Sequence, residues 1–70
     1  MPSFSAFRLR KAREAAGLTR EQLAVKVGRS YPMLAQYESG IKQPSLEALT
    51  RIAEALDRPI GDFFDEGAAS

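Results

Sequence analysis

Apolar residues recur along this chain at the three- and four-residue intervals typical of helices, and no stretch alternates as a strand would. The pattern predicts an all-α fold, a compact bundle of five short helices. The first helix covers about residues 5–16 and carries Leu9, Ala12 and Ala16 on one stripe. Gly17 is expected to end it, because a residue just past a helix end often adopts a left-handed conformation that costs glycine little.

Two further helices are predicted in the last third of the chain. The fourth helix begins at Pro44–Ser45. Its inward-facing stripe consists of Leu46, Leu49, Ile52, Ala53 and Leu56. Residues 57–59 break this helix, and a short fifth helix then carries Ile60, Phe63 and Phe64. Residues 65–70 are expected to fray.

The second and third helices, over about residues 19–39, have the most specific spacing in the chain. Thr19 is expected to cap the second helix, with Gln22 in the capping-box position, and Ser30 to cap the third. Gly28 lies at the sharp turn between them. The residues expected to face inward are Leu23, Ala24, Val27, Leu34 and Tyr37. Ala24 is small enough for the two helices to cross closely, which predicts a helix-turn-helix.

A helix-turn-helix is typical of DNA-binding proteins, which present its second helix to the major groove. In this chain the outer surface of that helix consists of Tyr31, Pro32, Met33, Ala35 and Gln36. The candidates for base contact are Arg29, Tyr31, Pro32, Met33 and Gln36. The Gln36 amide can bond an adenine edge twice, and Pro32 and Met33 suit a thymine methyl group. The alternative for each residue is an ordinary solvated side chain.

Pro32 lies in the first turn of the third helix, where a missing amide leaves no intrahelical acceptor unsatisfied. Ser30 must therefore cap the helix through the amide of Met33. Proline also disfavours helical geometry at Tyr31, so the start of the helix is defined only to within about one residue.

Composition narrows the class of function. Seventy residues suffice for one small domain, 1–70, whose thin core favours pairing with a second copy. The chain has no cysteine and no histidine, which excludes a disulfide framework, a His/Cys metal site and a Ser-His-Asp arrangement. No apolar run is long enough to span a bilayer, and no signal peptide is visible. We expect a cytoplasmic protein that is not an enzyme and needs no cofactor.

Charge is distributed unevenly, although the net charge is only +1. Residues 1–42 hold eight basic residues against three acids, a net charge of +5. Residues 43–70 hold two basic residues against six acids, a net charge of −4. The basic part contains the helix-turn-helix, as a surface facing phosphates requires. The alternative is that both parts are ordinary solvated faces.

Taken in order, these residues resemble the Cro/cI-type (Xre-type) helix-turn-helix family of phage and bacterial repressors. The likeness is carried by Leu9, Arg13, residues 17–19, 22–24 and 27–28, Glu38, Gly40, Pro44, Leu49, Ile52, Ala53 and Leu56. The resemblance implies a lambda-repressor-like DNA-binding domain that binds double-stranded operator DNA as a homodimer. It also implies that Arg13 and Glu38 form a buried ion pair, a part of the scaffold and not a DNA contact.

Phosphate contacts are expected at helix starts, which offer free amides and the positive end of the helix dipole, and in the loop after the third helix. The candidates are Thr19, Arg20, Ser30, Ser39, Lys42 and Ser45. Arg10 and Lys11 on the first helix are additional candidates. About three to five phosphates per protomer would give a slope of log affinity against log salt of about −3 to −5.

Self-association is expected to use the C-terminal end of the bundle. The candidates are Leu56, Arg58, Pro59, Ile60, Phe63 and Phe64. Two adjacent aromatic residues cannot both face the same core direction, so one of Phe63 and Phe64 is expected in the core. The other either meets a second chain or tucks around the end of the bundle.

Two functional interpretations follow. The first is a homodimeric transcriptional regulator, a repressor or controller protein reading the major groove with the third helix. The alternative is a protein-interaction module, such as an antitoxin or anti-regulator, that engages a partner protein through the same helix. The apolar surface of Tyr31, Pro32 and Met33 favours the alternative. Neither interpretation requires a membrane or a small-molecule effector.

Overall fold

The structure, a computed structural model, describes residues 3–65, and residues 1–2 and 66–70 lie outside that description. Its α-helices are α1 (Ala6–Ala15), α2 (Arg20–Val27), α3 (Tyr31–Ser39) and α4 (Leu46–Leu56). A 3-10 helix, Ile60–Phe63, stands where a fifth helix was predicted. Two strands, β1 (Ser3–Phe4) and β2 (Phe64–Asp65), pair antiparallel. The helical class is confirmed, whereas the strand pair was not predicted.

Each α-helix begins at a hydroxyl side chain that accepts a hydrogen bond from a backbone amide three residues further on. The four N-cap residues are Ser5, Thr19, Ser30 and Ser45. Gln22 Oε1 in turn accepts the amide of Thr19 at 2.8 Å, which completes the predicted capping box. At their other ends, α2 and α3 stop at Gly28 and Gly40, whose φ angles of 69° and 83° lie in the left-handed region. The predicted starts and stops of these helices are therefore confirmed.

The core lies where α1 packs against α3 and α2 packs against both α3 and α4. Its largest fully enclosed side chains are Phe63, Leu9, Leu23, Leu34 and Ile52. Two predicted core positions are wrong. Leu46 is 73% exposed because it is the first residue of α4 and lies outside the packed turns. Ala16 is exposed because it forms the C-cap of α1.

The strand pair joins the two ends of the described chain. Ser3 lies opposite Asp65, and Phe4 lies opposite Phe64. The amide of Ser5 donates to the carbonyl of Phe63 at 2.8 Å, and Arg8 Nε donates to Asp65 Oδ1 at 3.0 Å. Asp65, expected in a frayed end, is thus part of β2, and the remainder of that predicted segment, 66–70, lies outside the described residues.

Of the two adjacent aromatic residues at the start of β2, only one lies fully in the core. Phe63 is fully buried, and Phe64 is half-buried and packs against the core beside Phe4.

Within residues 3–65, each helix is too short and too polar to cross a lipid bilayer.

Candidate nucleic-acid interface

The turn between α2 and α3 is built by small residues. Ala24 is 4% exposed beneath the crossing point of the helices, and the amide of Arg29 donates to its carbonyl at 3.0 Å. Gly28 supplies the left-handed residue between the helices. An added Cβ at Gly28 would meet no atom within 4 Å, so the glycine is required for its backbone angle and not for space. This turn holds α3 across α2 with one face outward.

The outward face of α3 begins with two exposed residues, Tyr31 and Pro32. Tyr31 is 44% exposed. The amide of Met33 donates to Ser30 Oγ at 3.3 Å, the cap that Pro32 was predicted to impose. Gln36 is half-buried, and Tyr37, 5% exposed, faces the core as predicted. The predicted outer position of Met33 is only partly right, because its side chain packs against the core cluster.

A buried ion pair joins α1 to the end of α3. Arg13 Nε donates to Glu38 Oε2 at 2.7 Å, and the second guanidinium nitrogen reaches Oε1 at 3.2 Å. The side chains are 10% and 2% exposed, respectively. Arg13 also donates to the carbonyl of Leu18 at 2.7 Å, which fixes the loop before α2. The two partners implied by the family resemblance are thus in contact, and both are buried.

Glu38 has a second cationic partner that the sequence did not predict. Arg20 Nε donates to Glu38 Oε1 at 3.1 Å, and the Arg20 side chain is 37% exposed. Its Nη1 atom lies 3.5 Å from the Tyr31 hydroxyl, at the long end for a hydrogen bond. The hydrogen bond to Glu38 raises the pKa of Arg20, although desolvation opposes it. Arg20, expected as a phosphate contact, therefore also bridges α2 to α3.

The hydroxyl groups expected at phosphates lie at exposed helix ends. Thr19, Ser30 and Ser45 each accept a backbone amide as an N-cap. A hydroxyl that accepts in this way still has its own hydrogen to donate. Ser39, by contrast, donates to the carbonyl of Gln36 at 3.2 Å. Three of the four hydroxyls can therefore donate to an incoming anion without giving up their structural bond.

Several basic side chains of the described residues have no acidic partner. Within residues 3–65, Arg10, Lys26, Arg29 and Lys42 have no carboxylate partner, whereas Arg8, Lys11, Arg51 and Arg58 each contact an acid. Lys42 is exposed in the loop after α3. Arg29 is half-buried, and its Nε atom is itself buried and has no hydrogen-bond partner in the described part of the chain. Any ligand contact of Arg29 would therefore use its terminal nitrogens.

A groove of about 320 Å³ runs along the side of α3. Its lining includes Arg10 from α1, Arg20 from α2, and Ala35, Gln36 and Ser39 from α3. Gln36 thus shares this groove with arginines from two other helices. Periodicity along the sequence gives no signal for this arrangement, because it depends on how three helices meet.

The residues expected at a dimer interface separate into two groups. Leu56 and Phe63 are 6% and 0% exposed, so the prediction is wrong for these two, which offer no surface to a second chain. Leu56 is buried on the inward face of α4, and Phe63 is held in the core next to β2, where the Ser5 amide donates to its carbonyl. Arg58 and Pro59 are exposed, and Ile60 and Phe64 are half-buried.

Comparison with known proteins assigns the class. A family model described as "Helix-turn-helix" matches residues 9–63. The chain therefore belongs to the helix-turn-helix family, of the Cro/cI type, a class of DNA-binding transcriptional regulators.

Individual relatives agree with this class. The chain is 43% identical over 65 residues to an uncharacterized HTH-type transcriptional regulator of Rickettsia conorii, a match covering 93% of this chain and 51% of the relative. It spans about half the length of the two Rickettsia relatives that it matches. The restriction-modification controller protein C.AhdI from Aeromonas hydrophila has a similar structure, with a TM-score of 0.81 and 34% identity over 84% of this chain and 89% of that one. A chain of a SinR protein/SinI protein complex matches with a TM-score of 0.82 and 25% identity, over 91% of this chain and 63% of that one.

Proposed function

We propose that this protein regulates transcription by binding double-stranded operator DNA and reading its major groove with α3. The observation that carries the proposal is the exposed start of α3, where Tyr31 is 44% exposed and Pro32 is exposed. The left-handed Gly28 turn holds this end outward, and the unpaired Lys42 lies in the exposed loop beyond α3. An α-helix presented in this way fits the width of the major groove.

Base reading is assigned to the α3 face and to Arg29. Gln36 recognises an adenine edge through its amide, and Pro32 contacts a thymine methyl group. Tyr31 donates its hydroxyl hydrogen to a base or a phosphate. Met33 contributes only the part of its side chain that is not packed on the core. The backbone is held by the phosphate set, which consists of Thr19, Arg20, Ser30, Ser39, Lys42 and Ser45.

The experiment selects duplexes from a randomised DNA pool with the purified protein and measures their affinity by fluorescence anisotropy at several salt concentrations. Wild-type protein is expected to prefer the selected duplex over a scrambled one, with a salt slope of about −3 to −5. Gln36→Ala should lower that preference, because a bidentate base contact is worth about 1–3 kcal/mol. Glu54→Ala on the exposed face of α4 is the control. Binding insensitive to both salt and Gln36→Ala would refute the proposal.

We propose further that the protein acts as a homodimer, since operator half-sites are generally read by two copies. The surface assigned to the second copy is the remaining exposed or half-buried set Arg58, Pro59, Ile60 and Phe64. Phe64→Glu is expected to shift the sedimentation profile towards monomer. Arg51→Glu is a control on the exposed face of α4. An unchanged dimer content in Phe64→Glu would exclude this surface.

The proposal describes a protein that acts by binding, without catalysis and without a cofactor, in the cytoplasm. The lack of histidine and cysteine in the sequence supports only the part about catalysis, because the usual imidazole base and thiolate nucleophile are missing. A partner protein bound at Tyr31 and Pro32 in place of DNA is the outcome that would favour the alternative function. The packing of Met33 on the core makes this apolar surface smaller than the sequence predicted.

A further inference from the structure

A connected set of polar contacts runs from the core of the molecule to the start of α3. Arg13 holds Glu38, whose side chain is 2% exposed. Glu38 holds Arg20 at 3.1 Å, and Arg20 lies 3.5 Å from the Tyr31 hydroxyl. The outermost member of the set, Tyr31, is a residue assigned to base reading. The Tyr31 hydroxyl therefore lies next to the Arg20 guanidinium, which is itself held by the buried carboxylate of Glu38.

The geometry of α3 allows the single guanidinium of Arg20 to contact both Glu38 and Tyr31. Tyr31, Ala35 and Glu38 are separated by four and three residues, so they lie on one face of the helix. Tyr31 and Glu38 are thus about 10 Å apart along the helix axis, and their long side chains close that distance. Ala35, between them, lines the same groove as Arg20. Its single methyl group leaves room for the arginine to lie across the helix.

We propose that Arg20 is a positioning residue for DNA specificity, which sets the orientation of the Tyr31 hydroxyl and hence the base preference at the position Tyr31 reads. This inference rests on the proposed function. A tyrosine at the first turn of an exposed helix otherwise has free rotation about its side-chain bonds, and the loss of that freedom on binding lowers affinity. Glu38 fixes the guanidinium before DNA arrives, so the orientation of Tyr31 is set in the free protein.

A general electrostatic role for Arg20 predicts a different result. If Arg20 only attracted phosphates, Arg20→Lys would keep the charge and weaken binding to all duplexes by the same factor. A lysine ammonium is a point charge and lacks the fork that contacts Glu38 through Nε and Tyr31 through Nη1. The positioning role therefore predicts that Arg20→Lys lowers the preference for the selected duplex more than it lowers affinity for a scrambled duplex.

The test is a double-mutant cycle with Arg20→Lys, Tyr31→Phe and the double variant, measured on the selected and the scrambled duplex. The ratio of the two affinities is expected to fall by about threefold to tenfold in each single variant and little further in the double variant, as coupled residues do. Arg51→Lys, at an exposed ion pair on α4, is the matched control and should leave the ratio unchanged. If the two changes multiply, the positioning role is wrong while the proposed function stands. If wild-type protein does not discriminate the duplexes, both are wrong.

A second measurement needs no DNA. Nuclear Overhauser effects between the Arg20 side chain and the Tyr31 ring are expected in the free protein and should disappear in Ala35→Leu, whose longer side chain occupies the place of the arginine without changing any charge. Ring signals of the buried Tyr37 serve as the internal control for folding. Absence of the Arg20–Tyr31 effects in the wild type would overturn the positioning role whatever the DNA measurements give.

Discussion

The shared carboxylate of Glu38 gives the sharpest stability prediction. Glu38→Gln keeps the shape of the side chain but removes the negative charge that faces two guanidinium groups. Arg13, only 10% exposed, then keeps its charge in the interior with a neutral amide as partner. Arg20, 37% exposed, can turn towards water. The cost of the change therefore comes mainly from Arg13.

The magnitude follows from burial. Removing one partner of a buried ion pair costs about 3–5 kcal/mol, because the other charge is left uncompensated. Arg20 is 37% exposed, and Arg20→Gln leaves Glu38 paired with Arg13, so the change should cost no more than about 1 kcal/mol, the upper value for a solvent-screened pair. A chain of this size has a total unfolding free energy of about 4–10 kcal/mol. Glu38→Gln should thus remove about a third of the stability or more, and Arg20→Gln a smaller part.

The assay is urea unfolding followed by far-ultraviolet circular dichroism. Arg13→Met should lower the free energy of unfolding by less than Glu38→Gln does, because the Glu38 carboxylate still has Arg20 as a partner. The double variant Arg13→Met/Glu38→Leu should recover most of the loss, because an apolar pair of similar volume replaces a buried ion pair at little cost. Equal losses in Arg13→Met and Arg20→Gln would refute the reasoning, since burial would then not determine the cost. A double variant as unstable as the sum of its single changes would also refute it.

Three further predictions concern the turn, the core and the DNA interface. Gly28→Ala should cost about 1–2 kcal/mol by urea midpoint, the strain of a left-handed alanine, since no atom lies within 4 Å of the new Cβ. Gly61→Ala, outside the left-handed region and equally unobstructed, should stay within about 0.5 kcal/mol. Phe63→Ala should cost about 3–5 kcal/mol and the half-buried Phe64→Ala clearly less. Lys42→Ala should make the salt slope of DNA binding shallower by about 1.

Each of these has a result that would contradict it. Equal effects of the two glycine changes would exclude a backbone cause. A larger loss at Phe64 than at Phe63 would contradict the packing of the C-terminal segment. An unaltered salt slope in Lys42→Ala would remove this lysine from the phosphate set, and Lys26→Ala on α2 supplies the comparison with a second unpaired lysine.

The parts of the fold that could be predicted from the sequence are those determined within a few residues. Helix starts at Thr19, Ser30 and Ser45 follow from local capping, and the consequence of Pro32 for the Ser30 cap follows from the missing amide alone. The turn at Gly28 likewise depends on a single backbone angle. In each case the relevant interaction partners are neighbours in the chain.

The features that were missed depend on residues distant in sequence. The strands pair residues 3–4 with 64–65, and two-residue strands are too short to alternate detectably. The contact of Arg20 with Glu38 spans 18 positions and requires the crossing angle of two helices. The partial burial of Met33 likewise depends on the neighbouring core. The Arg13–Glu38 pair came from family resemblance, since its separation of 25 positions is equally invisible to periodicity.

Closure of the fold by β1 and β2 has a practical consequence for labelling. Because Ser3 and Asp65 are strand partners, dyes attached at these two residues would lie within a few nanometres of each other. Energy transfer between the dyes would be efficient only while the strands remain paired. The same proximity would let a short linker join residues 3 and 65 in a circularly permuted domain with a new opening in a loop. A permuted chain that keeps its helical content would show that the order in which the helices are connected matters less than how they pack.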